Sequence, residues 1–183
     1  MPRDPLPWKL VRTGARHDFR ILRIGEDHFA DPRDGLEHPR AIIEADDWAN
    51  VLPLTRSGEV VLVKQFRFGS QEVSLELPGG VIEPGEEPAA SVARELEEET
   101  GYRAGRVLPL GVYRPNPAHF TNRVHAFVAL DCEAIHDGMP DHGEDLTVEI
   151  VPRSAVAGLA RDGRITHALI LATLNLAALN GYL

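Results

Sequence analysis

Seven of the chain's 28 acidic side chains crowd into the stretch from Glu83 to Glu99, and a single base, Arg94, stands among them. Such a segment can join a compact fold only if its charges are turned away from the core. Pro88 suits the first turn of a helix, where its missing N–H would be unpaired anyway, and Gly101 follows the last apolar position as a stop. The punctuation therefore predicts a helix over 88–100. At about 100° per residue, Ala89, Val92, Ala93 and Leu96 fall on one side, which would face the core. Glu95, Glu98 and Glu99 share a neighbouring wedge, and Glu97 points elsewhere. Like charges three and four residues apart repel by about 0.2–0.5 kcal/mol per pair. A divalent cation would remove that repulsion. Oxygen ligands at this density suit Mg²⁺ or Mn²⁺, which keep part of their water shell and accept phosphate oxygens as further ligands. The alternative is an acidic helix face solvated by water.

The flanking sequence supplies a frame for this helix. Short strands are expected at 19–24 and 40–45, split by the turn-rich Asp31-Pro-Arg-Asp-Gly35, and firmer ones at 50–54 and 60–64, joined by Arg56-Ser-Gly-Glu59. Leu75-Glu-Leu77 runs into Pro78-Gly-Gly80, where the chain must bend. Strands near 107–113, 123–130 and 146–151 follow, with a loop at 131–145, and helices at 153–161 and 166–179 close the chain. A mixed α/β domain with a sheet between helices is the expectation. No linker or repeat divides it, so 46–183 is read as one domain and 1–45 as an N-terminal strand extension.

Composition narrows the partners. A formal net charge of −9 lacks the clustered cations that displace counterions from nucleic acid, but it is compatible with a small phosphorylated ligand. One thiol, Cys132, cannot form an internal disulfide. The apolar runs are shorter than the roughly 18 residues that cross a bilayer, and Met1-Pro-Arg-Asp-Pro5 is unlike a signal peptide, so a soluble cytoplasmic protein with no membrane partner is expected. No two histidines have the His-x-His or His-Glu-x-x-His spacing of a zinc site.

Gly80-Val-Ile-Glu-Pro-Gly-Glu86, seven residues, and then Arg94-Glu95-Leu96-Glu97-Glu98-Glu99-Thr100-Gly101-Tyr102 resembles the Nudix box, G-x5-E-x7-R-E-U-x-E-E-x-G-U, with U a bulky apolar residue. Every fixed letter is present; Tyr102 places an aromatic where the family usually has an aliphatic residue. The resemblance implies the Nudix α/β/α sandwich with a mixed sheet. It implies that Glu86 pairs with Arg94 to pin the loop to the helix. Glu95 and Glu99 would be principal metal ligands, with Glu98 a further ligand or a holder of metal-bound water and the Gly79 carbonyl an additional ligand. A carbonyl can approach an ion closely where no side chain intervenes, which suits Gly79-Gly80.

Nudix enzymes cleave a nucleoside diphosphate linked to a group X, and features outside the box bear on X. Pro117, 16 residues beyond Gly101, and Lys64-Gln-Phe-Arg67 followed by Glu76-Leu-Pro-Gly-Gly80 resemble the ADP-ribose pyrophosphatase branch and its nucleoside-diphosphate-sugar relatives. Asn116-Pro-Ala-His-Phe-Thr-Asn122 departs from the Ser-Pro-Gly usual in ADP-ribose enzymes, which keeps other sugars, such as that of GDP-mannose, in play. Arg67 is a candidate phosphate ligand, because a guanidinium binds two oxygens at once. Glu144 corresponds to the base of related enzymes, with Asp145 and Glu149 as rivals. Trp8 or Trp48 would stack a base, or else belong to a core or interface. His119 and His125 flank the substrate loop, and Cys132 shows no sign of activation. The expectation is a Mg²⁺- or Mn²⁺-dependent pyrophosphatase, homodimeric through its N-terminal strands. The competing readings are a hydrolase of other nucleoside-diphosphate derivatives and a nucleotide-sensing domain without catalysis.

Overall fold

The structure is a computed structural model that describes residues 4–138 and 145–183. It divides into two compact units, one of residues up to Asp46 together with Asn116–Asn122, the other of Asp47–Pro115 and Arg123–Leu183.

The first unit is a three-stranded antiparallel sheet, β1 (Lys9–Asp18), β2 (Leu22–Ala30) and β3 (Glu37–Ala45), in that order. Residues 116–122 add to its β3 edge through Ile43 N–H to the His119 carbonyl (2.8 Å) and Thr121 N–H to the Ile43 carbonyl (3.0 Å). The expected strand at 19–24 begins only at Leu22, because Phe19–Ile21 form the β1–β2 turn, with Arg20 at φ 71° and its N–H on Asp18 Oδ1. β1 was not expected at all. Most of it is exposed on both faces, so no alternation marks it, and two register shifts break its pairing with β2. Its charges are anchored instead: Arg16 donates to both carboxylate oxygens of buried Asp27, at 2.7 and 2.9 Å, and to Glu44 at 2.9 Å.

The second unit holds a mixed sheet whose main path is β11 (Leu146–Pro152), β5 (Glu59–Arg67), β4 (Trp48–Thr55), β10 (Val124–Ala134) and β8 (Tyr102–Arg103). β6 (Glu72–Glu76) pairs with β5, β7 (Gly79–Val81) with β4 and β9 (Arg106–Tyr113) with β10. The β4–β10 pair is parallel and the other pairings are antiparallel. A central parallel strand is covered on both faces, which is why Ala49–Leu54 is buried without interruption. Alternate residues then go to opposite layers. Ala49 and Val51 pack with Val92 and Leu96 of α1 (Pro88–Thr100), while Leu52 and Leu54 pack with residues of α2 (Val156–Arg161) and α3 (Ala168–Leu179). The result is the α/β/α sandwich.

Gly101 ends α1 at φ 73°, its N–H on the Glu97 carbonyl at 2.8 Å, a left-handed cap that only glycine adopts without strain. The expected loop at 131–145 starts later than its sequence suggested, since β10 runs to Ala134 past an irregularity between Ala129 and Cys132, with Asp131 at φ 56°, and pairs with β8 there. The buried stripe of α1 is also rotated from the simple apolar reading. Ala89 is exposed, whereas Ser91, Glu99 and Thr100 are buried beside Val92 and Leu96.

Candidate active site

Pro78-Gly79-Gly80 crosses from β6 to β7 and lies against the acidic wedge of α1. Glu99, only 6% exposed, accepts a hydrogen bond from the Gly79 N–H at 3.0 Å. A Cβ at Gly80 would stand 2.5 Å from Glu95 Oε1, so the carboxylate occupies space that any side chain there would fill. At Gly79 a Cβ would meet the Ala49 carbonyl oxygen at 2.2 Å. Both glycines are therefore demanded by close approach, one to a neighbouring strand and the other to a carboxylate.

Arg94 ties the acids together. Its Nε and Nη2 donate to Glu86 at 3.1 and 3.2 Å, and Nη1 lies 2.8 Å from Glu98 and 3.0 Å from Glu95. The hydrogen bonds from Arg94 hold the Glu86 carboxyl below its ordinary range. Glu97 turns away and pairs with Arg103 at 2.9 Å. One guanidinium thus offsets the repulsion among three carboxylates.

Gly79, Gly80, Arg94, Glu95, Glu98 and Glu99 line a cleft of about 320 Å³, together with Trp48, Gln65, Arg67, Val81, Glu83 and Pro84. Trp48 is half-buried, and its Nε1–H donates to Oδ1 of buried Asn50 at 2.9 Å. Arg67 grips Glu76 with two hydrogen bonds, Nε to Oε1 at 2.8 Å and Nη2 to Oε2 at 2.7 Å. Burial opposes the ionisation of Glu76, but the bonds and charge of Arg67 outweigh it and hold the carboxyl low. The sequence assigned no role to Asn50, or to Glu76 beyond its place in the Glu76-Leu-Pro-Gly-Gly80 motif. An asparagine in an apolar strand and a glutamate between two leucines could have signalled buried polar partners.

A larger concavity, about 650 Å³, lies in the first unit between Asp18 and Thr121. It has no glycine-backed carboxylate cluster, and its Glu44 is engaged by Arg16. In that unit, too, Asp31, Asp34 and His38 bring ligand atoms within 4.8 Å of one another, but Asp31 is committed to Arg33, whose hydrogen bonds lower its carboxyl to about 2.

Other expected site residues fall elsewhere. Pro117 and His119 are exposed and belong to the first unit. Trp8 is also there, beneath Arg40 at 5.1 Å and edge-on to His38. His125 pairs with Asp47 at 3.1 Å. Cys132 is buried, and desolvation pushes its thiol up to about 11, so it is unreactive at neutral pH. Glu144 lies outside the described residues. Of its rivals, Asp145 is exposed, and Glu149 is paired with Lys64 and Arg164, whose bonds, Lys64 first, depress its pKa. A carboxylate so engaged is a poor proton acceptor.

In this layered α/β/α fold the carboxylates of one helix face stand against a glycine pair in a cleft, a set of hard oxygen donors of the kind a divalent cation takes. Residues 47–174 match the model of the NUDIX domain, and the chain belongs to this family. It is 34% identical over 122 residues to the ADP-ribose pyrophosphatase of Bacillus subtilis (strain 168), covering 67% of this chain and 62% of that protein. It is 28% identical to the GDP-mannose pyrophosphatase of Citrobacter koseri, with 86% of each chain covered. The matched region thus spans less than two thirds of the Bacillus subtilis enzyme, and the same holds for the methanol dehydrogenase activator of Bacillus methanolicus, of which it covers 65%. The crystal structure of an ADP compounds hydrolase superposes with a TM-score of 0.84 over 97% of this chain and 95% of that one, at 19% identity, a likeness of fold.

Proposed function

We propose that this chain is a divalent-metal-dependent pyrophosphatase that hydrolyses the diphosphate of ADP-ribose or a related NDP-sugar, such as GDP-mannose, to a nucleoside monophosphate and a sugar phosphate. The observation that carries the reading is the placement of Glu95 and Glu99 directly against Gly79-Gly80, in a cleft that also contains a guanidinium and an indole. The sugar-diphosphate class is supported by the names of the relatives, an ADP-ribose and a GDP-mannose pyrophosphatase.

The donor set fits the metal. Carboxylates from one helix face, with the Gly79-Gly80 backbone beside them and no thiol or imidazole among the lining residues, are hard oxygen ligands of the kind Mg²⁺ or Mn²⁺ takes. Glu95, Glu98, Glu99 and the Gly79 carbonyl would hold the ion, which would neutralise the diphosphate and make a nearby water more acidic. Around it, Arg67 would bind a phosphate oxygen, and Trp48 would lie against the base or sugar with its ring plane set by Asn50. Arg94 and Glu86 would pin the glycine loop to α1 and orient Glu98. A carboxylate, Glu144 in this proposal, would accept the proton as water attacks phosphorus. The P–O bond of the anhydride breaks, and the departing phosphate leaves as an anion.

The test is hydrolysis of ADP-ribose, GDP-mannose, ADP-glucose, UDP-glucose, NADH and diadenosine polyphosphates with Mg²⁺ or Mn²⁺, alongside Glu99→Gln. Release of sugar phosphate from one sugar diphosphate, absent in the variant, is the expected result. No turnover of any of them with metal bound would overturn it in favour of nucleotide sensing. The same proposal includes a homodimer built through the strands of residues 1–45, and a monomer by light scattering would remove that part.

A further inference from the structure

Among the described residues, Glu76 is the most deeply buried carboxylate, 1% exposed, and the box motif does not account for it. It is paired with Arg67, whose own side chain is 31% exposed and lines the cleft with Glu95, Glu98 and Glu99. The grip is bidentate and uses the Nε–Nη2 side of the guanidinium. That side-on mode fixes the plane of the group and aims its Nη1 end away from Glu76. A buried ion pair of this kind adds little net stability, because desolvating two charges offsets most of their attraction. What it does supply is a single orientation for a side chain that would otherwise sample many rotamers.

The third member is His167, the residue before α3. Its Nδ1 is buried, lies 4.0 Å from Glu76 Oε2, and has no hydrogen-bond partner among the described residues. Desolvation lowers its pKa, which favours the neutral ring and leaves Arg67 as the cation that Glu76 holds. Three residues after Glu76, on the same stretch of chain, the Gly79 N–H binds Glu99. The orientation of Arg67 and the placement of the glycine loop are therefore set from one short segment.

We propose that Glu76 is a positioning residue that holds Arg67 in the orientation that meets the substrate diphosphate, and so sets substrate affinity without touching the substrate itself. The inference rests on the reading of this cleft as a diphosphate site. Such a role predicts a split between kinetic constants. Glu76→Gln keeps the size of the side chain but removes the charge and one acceptor, so KM for the sugar diphosphate should rise about tenfold or more while kcat changes by less than about threefold. Glu76→Asp keeps the buried charge but shortens its reach, so it should give a smaller rise in the same direction and serves if the amide variant folds poorly. In an Arg67→Ala background, Glu76→Gln should add no further change in KM. Mn²⁺ affinity, measured by calorimetry on every variant, should stay at the wild-type value, which separates loss of positioning from damage to the glycine loop.

An unchanged KM in Glu76→Gln and Glu76→Asp, in a wild-type protein that turns over its substrate, would overturn the positioning role alone. So would additive KM effects in the double variant. A wild-type protein that neither hydrolyses a sugar diphosphate nor binds inorganic pyrophosphate with Mn²⁺ would overturn the functional reading and this inference with it.

Discussion

Replacing Gly80 by alanine isolates the contact between the glycine loop and the acidic helix. The added Cβ would stand 2.5 Å from Glu95 Oε1 and 2.7 Å from its Cδ, where ordinary contact begins at 3.4 Å, so the carboxylate must retreat by 0.9 Å. The three atoms nearest the methyl group all belong to the flexible Glu95 side chain, and Gly80 does not have a positive φ, so the fold should change by less than about 1 kcal/mol. A displacement of about 1 Å at a catalytic centre costs on the order of a hundredfold in rate. The expected result is therefore a well-folded protein with weakened Mn²⁺ binding by calorimetry and kcat lowered about a hundredfold. Gly79→Ala is the contrasting control. There the Cβ meets the Ala49 carbonyl oxygen at 2.2 Å, and φ is +155°, so strand β7 must move from β4 and the loss should exceed about 2 kcal/mol in denaturant unfolding. A Gly80→Ala protein with wild-type Mn²⁺ affinity and turnover would refute the placement of Glu95 at the reaction centre. Unfolding of Gly80→Ala to the same extent as Gly79→Ala would refute the claim that the contact is local.

Other substitutions test separate layers. Glu99→Gln should lower turnover by at least about a hundredfold, measured as product release at saturating metal, because a buried carboxylate beside the Gly79 N–H loses its charge. Leu96→Ala removes a fully buried side chain between α1 and the sheet, so denaturant unfolding should show a loss of about 2–5 kcal/mol. His167→Asn should flatten stability against pH on the acid side of neutrality. Burial depresses the folded pKa of His167 below 6.5, so the unfolded chain takes up the proton first; the stability is complete above pH 6.5 and is lost as pH falls through the folded value. Thermal melts at several pH values between about 5 and 7 would show this, and identical pH profiles for variant and wild type would contradict it.

The acidic helix, its capping by Pro88 and Gly101, and the separation of Glu97 from Glu95, Glu98 and Glu99 were legible in the sequence because helical periodicity and terminal residues are local properties. The family was legible for the same reason, since spacing within one loop and helix carries it. β1 was not, because a strand exposed on both faces has no alternation to read. The rotation of the α1 stripe was not legible either. Simple apolarity places Ala89 inside and Glu99 outside, yet Glu99 is buried because its partner, the Gly79 N–H, arrives from twenty positions earlier in the chain.

Residue types and their local spacing determined which chemistry this protein can hold: hard oxygen donors on one helix face and a glycine pair beside them. Only the tertiary structure decided which charges are committed to one another. Arg67 and Glu76 meet across the β5–β6 pair, Lys64 and Arg164 take Glu149, and Arg94 reaches back to Glu86. Pairing of this kind depends on distance and burial after folding, and neither is encoded in the local pattern of any single segment.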